Sequence, residues 1–116
     1  MSEELSTTGG ALRKWLDEAE VLSATVQQLR KDLNEPELAL PPVGPGAFEA
    51  LRAEVAERMD VWQRQDPSAF SRAVNRVDLT ERVVDAATGR GGLHELAGMM
   101  VLRCLQKVLL RKHFSR

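Results

Sequence analysis

Residues 93–116 read LHELAGMMVLRCLQKVLLRKHFSR, and no other stretch restricts the fold of this chain as much. Apolar side chains recur at Leu93, Leu96, Ala97, Met100, Val101, Cys104, Leu105, Val108 and Leu109, a helical spacing and not the alternation of a strand. Met99, Leu102 and Leu110 fall outside that stripe. A helix that is apolar on nearly every side has to be covered on nearly every side. The segment is therefore expected to be the central helix of a small bundle, or a helix that also meets another chain.

The same segment carries a positive edge. Arg103, Lys107 and Arg111 step by four, Lys112, His113 and Arg116 extend them, and no acidic residue follows Glu95. Cations near a helix C-terminus interact favourably with its dipole and bond its last free carbonyls. A surface for an acidic partner is the functional counterpart of that structural role. Met99, Leu102, Arg103, Lys107, Leu110 and Arg111 are accordingly the residues nominated for contact with a protein partner or with a second copy of the chain, as a homodimer.

Upstream, the pattern is again helical. Leu12, Trp15, Ala19, Leu22, Val26, Leu29 and Leu33 are spaced three, four, three, four, three, four, the seam of a bundle or coiled coil, and predict a long helix over 11–33. Residues 34–46, NEPELALPPVGPG, hold four of the five prolines and cannot continue it. Leu38, Leu40 and Val43 within them predict an ordered connection packed on the bundle. A polyproline-type recognition segment is the functional alternative, and a lone Pro-Pro step is slender support for it.

A second long helix is expected over 47–65, with Phe48, Leu51, Val55, Met59 and Trp62 inward. Asp66 followed by Pro67 suits the opening of a short helix over 67–77. Asp78 and Glu81 have capping-box spacing and predict a fourth, short helix over 79–88, ended by Gly89, Gly91 and Gly92. The whole is an all-α bundle of about five helices: two long and antiparallel, two short, and the central C-terminal one. It forms a single domain over 11–116, preceded by a polar, poorly ordered tail at 1–10.

Composition narrows the function classes. The 116 residues are 43% hydrophobic and 28% charged, as in ordinary globular domains. The net charge of −1 hides an asymmetry: residues 1–60 sum to −6 and residues 61–116 to +5. A single cysteine excludes an internal disulfide. The absence of an apolar N-terminal run argues against a secretory signal. Arg103 and Lys107 interrupt the longest apolar stretch, so no membrane span is expected, and a cytoplasmic location fits.

Catalytic and metal chemistry find little support. His94 and His113 have no ligand partners at metal spacing, and Cys104 sits on the apolar stripe, the place of a buried and inert thiol. Carboxylate pairs such as Glu54 and Glu57 lack the histidine of a di-metal bundle site. The glycine-rich TGRGG at 88–92 lacks the preceding strand and the GK[ST] ending of a phosphate loop. The chain is thus expected to be a non-enzymatic helical protein, without cofactor or metal, acting through protein contacts or self-association. The alternative is nucleic-acid binding by the basic half, with Arg72, Arg76, Arg82 and Arg90 joining the C-terminal cations. Scarce aromatic residues and the absence of strong net positive charge count against it.

Overall fold

The computed structural model describes residues 11–114. The expected tail at 1–10 lies outside the described residues, as do Arg116 and the side chain of His113. Among the described residues the fold is entirely helical: a helical turn at 11–13, a 3-10 turn (Lys14–Asp17), then α1 (Ala19–Leu33), α2 (Ala47–Gln65), α3 (Pro67–Val77) and α4 (Glu81–Phe114).

The expected first helix is broken near its start. Glu18 takes an extended conformation (φ −94°, ψ 123°) between the 3-10 turn and α1. That one residue resets the helical rotation of what precedes it, so Trp15 leaves the core while Leu12 stays partly buried against it. Trp15 is 45% exposed and Leu16 is buried in its place; Ala19 is exposed as well. From Leu22 the seam holds, and Leu22, Val26, Leu29 and Leu33 are all buried. At its end, Asn34 adopts a left-handed conformation (φ 55°) and the Glu35 N–H donates to the Arg30 carbonyl at 2.9 Å. This pairing closes the free carbonyls of the last turn.

α2 and α3 have the expected bounds, and each inward residue of α2 is buried, from Phe48 to Trp62. Asp66 opens α3 by accepting from the Ala69 N–H at 3.2 Å, with Pro67 at the first helical position. The next cap differs from expectation. Asp78 takes a left-handed conformation (φ 69°) that ends α3, so its side chain cannot open the following helix. Thr80 does so, its hydroxyl accepting from the Val83 N–H at 3.2 Å.

The two final helices run on as one element with a kink. Gly91 is extended, and Gly92 has φ 62° and ψ −139°, a region that strains any side chain. Replacing Gly92 with valine is expected to lower the unfolding free energy by about 2 kcal/mol. Gly89, whose surroundings are open, should accept alanine with a small gain. Denaturant titration of the two variants compares them, and equal stability would mean that the kink does not depend on Gly92.

The C-terminal arm of α4 is central, as its composition demands. It packs chiefly against α2 and α1, with α3 closing one side. The two long helices face this arm and α3 more than they face each other. Leu96, Ala97, Met99, Met100, Val101, Leu102, Cys104, Leu105 and Val108 are all buried. Gly98 permits a close approach to α2: a Cβ there would stand 3.0 Å from the Arg52 guanidinium and 3.6 Å from the Phe48 ring.

The linker between α1 and α2 is only partly packed. Leu38 is fully buried, whereas Leu40 and Val43 are 52% and 49% exposed. Of the leucines expected to pack this connection on the bundle, Leu38 does so and Leu40 does not.

Candidate functional site

The six residues nominated for partner contact separate into three groups. Met99 and Leu102 retain 6% and 2% exposure and belong to the core. They lie off the main stripe, yet the arm is enclosed from enough directions to bury them. Leu110, one turn from the end of α4, is 51% exposed. The three cations each reach an earlier part of the chain. Arg103 donates to the Asp78 carboxylate at 3.2 Å. Lys107 donates to Asp32 at 2.8 Å and to the Arg76 carbonyl at 2.9 Å. Arg111 donates to the Gln28 side-chain carbonyl at 2.6 Å.

These bonds trace a polar seam between α1 and α4. Thr25, Gln28 and Asp32 of α1 are the buried polar residues among those described. Thr25 donates back to the Val21 carbonyl at 2.8 Å. The Gln28 amide donates to Asp32 at 3.0 Å while its carbonyl accepts from Arg111, so both ends of the amide are used. One Asp32 oxygen accepts from Gln28, and the other from Lys107 and from the Cys104 thiol, whose sulfur is 3.6 Å away. Buried polar groups are tolerated when bonded in this way. The sequence did carry a signal for the seam: Thr25, Gln28 and Asp32 follow helical spacing on a face flanking the apolar one. The same spacing on a solvated face looks no different until the partner helix is in place.

Cys104 is fully buried. Burial pushes its thiol well above the ordinary range, and the adjacent Asp32 charge pushes it further. The sulfur is held as a protonated donor, not as a nucleophilic thiolate. A thiol reagent at a pH of about 8, close to the ordinary thiol value, is expected to label the native protein only through opening of the fold. Labelling in denaturant should be faster by orders of magnitude. Equal rates in the two conditions would show that the thiol is accessible.

A second cluster surrounds Phe48. Arg13 and Arg52 lie over its ring at 4.0 and 5.0 Å from the centroid. Arg52 also makes a two-pronged pair with Glu49, with a shortest contact of 2.6 Å. That hydrogen bond holds the Glu49 carboxyl below its usual value, aided by the charges of Arg52 and Arg13. Arg13, Lys14, Asp17, Gly44, Pro45, Phe48 and Glu49 line a shallow concavity of about 220 Å³ here.

Other charges of the basic half also meet acids within the chain: Arg72 lies 3.9 Å from Asp66, and Arg90 3.6 Å from Glu95. The glycine turn that invited an anion therefore holds its arginine against a carboxylate. Among the described residues no group of three or more His, Cys, Asp or Glu side chains is placed to hold a metal ion. No helix among them is long and apolar enough to cross a membrane. The fold and its seam define a small all-α bundle with an internally bonded basic edge. No family model, curated protein or solved structure matches the chain.

Proposed function

We propose that this chain is a non-enzymatic, cytoplasmic helical module that acts through contacts with proteins, a second copy of itself included. The observation that carries this reading is how its larger apolar residues are distributed. Most join one continuous core, while Trp15 of the 3-10 turn, Leu40 and Val43 of the linker and Leu110 of α4 are left near half exposed. The residues with the most chemical promise, Cys104 and Lys107, are engaged by Asp32 in the interior. Single exposed leucines are ordinary on protein surfaces. Leu110 is of interest because it is exposed and precedes Arg111, which with Ala24, Gln27, Gln28 and Lys31 of α1 lines a shallow concavity. Leu110 and Arg111 are what remains at the surface of the six nominated residues, and a second copy is the partner proposed for that edge.

Sedimentation equilibrium tests the self-association. The wild type is expected to associate reversibly at high micromolar concentration, and Leu110→Glu to weaken that association without changing helix content. Strictly monomeric behaviour of both proteins would remove self-association and leave only contacts with other proteins.

A further inference from the structure

We propose that the outward face of α1 is a self-complementary surface on which a second copy of the chain docks antiparallel. This rests on the self-association reading above and gives it a face, an orientation and a register.

The face is set by helical spacing. Glu20, Ala24, Gln27 and Lys31 step by four, three and four along α1, on the side opposite the buried Leu22, Val26, Leu29 and Leu33. Glu20, Gln27 and Lys31 are exposed and Ala24 is partly so. The stripe is symmetric about its own midpoint: positions 20 and 31 lie equally far from it in opposite directions, and so do 24 and 27. A two-fold axis through that midpoint, perpendicular to the helix, sets Glu20 against Lys31 of the second copy at both ends. In the middle it sets the small Ala24 against Gln27 of the second copy. A parallel pairing of the same stripe would place like charges together, so charge selects the antiparallel one.

Neither charge is neutralised within the chain. Among the described residues Glu20 and Lys31 make no salt bridge. The sequence shows why. One turn after Glu20 stands Ala24, and one turn before Lys31 stands Gln27, so α1 supplies neither with an opposite charge at helical spacing. Glu35, one turn beyond Lys31, is engaged by Arg58 at 3.6 Å. α2 is built differently and pairs Glu49 with Arg52, Glu54 with Arg58 and Asp60 with Arg64 along its own surface. The dipole of α1 accounts for an acid near its start and a cation near its end. It does not account for both standing on one outward stripe.

Each end of the stripe is reinforced by a neighbour of the same sign. Arg111 of α4, held by its bond to Gln28, lines one shallow concavity with Ala24, Gln27 and Lys31. The stripe therefore continues into the edge that carries Leu110 and Arg111. At the opposite end Glu18 is exposed immediately before α1 begins. Antiparallel docking brings Glu18 and Glu20 of one copy to Lys31 and Arg111 of the other, and the two-fold axis repeats the contact. One helix face is a small interface, and exposed ion pairs contribute modestly, so the association is weak and reversible.

Sedimentation equilibrium of the full chain and three charge variants tests the arrangement. The wild type is expected to associate at low salt and to dissociate as salt rises toward about 0.5 M, where such charges are screened. Glu20→Lys and Lys31→Glu each set like charges together at both ends and should weaken association about tenfold. An equimolar mixture of these two variants should regain wild-type affinity, because one chain then carries only cations on the stripe and the other only acids. The double variant Glu20→Lys with Lys31→Glu should regain it alone, since exchanging the two ends leaves every pair intact. Unaltered circular dichroism and denaturation midpoints establish that the variants are folded, and the double variant decides the matter where a single one is not. The proposal is overturned if the single variants associate as the wild type does, if neither the mixture nor the double variant recovers, or if salt strengthens association. Such a failure in a wild type that still associates sinks this face alone. A strictly monomeric wild type sinks it together with the self-association reading.

Discussion

Replacing Asp32 with alanine is expected to lower the unfolding free energy by about 3 kcal/mol, a large share of the total for a domain of this size. The cost does not come from a strong ion pair. It comes from what is left behind: a Lys107 ammonium with 19% side-chain exposure, a Cys104 thiol and a Gln28 amide that all lose the same acceptor. Lys107 retains the Arg76 carbonyl, and its stem can carry the charge toward water, which places the estimate at the lower end for a broken buried pair. Replacing both partners, Asp32→Leu with Lys107→Met, should recover most of the loss because no charge is then stranded. Denaturant unfolding of the two single variants and the double variant measures the coupling. A loss below about 0.5 kcal/mol for Asp32→Ala would show that the seam contributes no more than a surface pair does.

Leu102→Ala is expected to cost about 3 kcal/mol, and Leu110→Ala no more than about 0.5 kcal/mol. The two leucines sit on the same helix and both lie off its main apolar stripe. Their surroundings separate them. Leu102 is 2% exposed within the core formed by several helices, so truncation leaves a cavity. Leu110 lies near the end of α4, where about half of it already meets water. Thermal or denaturant midpoints of the two variants check the contrast. Equal and small effects would mean that the C-terminal arm is not enclosed as described.

Much of this fold was legible from residue spacing. The bounds of α2 and α3, the Asp66 cap and the central place of the last helix follow from apolar periodicity and from proline and capping chemistry, which act over a few residues. Two local readings went astray because they depended on backbone states that spacing does not encode. A single extended residue, Glu18, moved Trp15 out of the seam and Leu16 into the core. A left-handed Asp78 passed the capping role to Thr80. Of the nominated contact residues, the sequence marked the positive edge correctly as a feature but not its partners. Asp78 lies 25 residues before Arg103, Asp32 lies 75 before Lys107 and Gln28 lies 83 before Arg111. Pairings over such distances arise only when α1, α3 and α4 are packed together.

The residues 93–116 mark where the two sources of information divide. The sequence alone determined that they form a helix, and that it must be covered on most sides, because apolar side chains on every face cannot all be left in water. The tertiary structure alone decided which residues lie on the remaining side. It enclosed Met99 and Leu102, left Leu110 in solvent, and bound the three cations to acceptors on earlier helices. It also left Leu40 and Val43 uncovered while anchoring the chain on either side of them. Periodicity is a property of one helix, whereas burial and ion pairing depend on the neighbours that the whole chain brings to it.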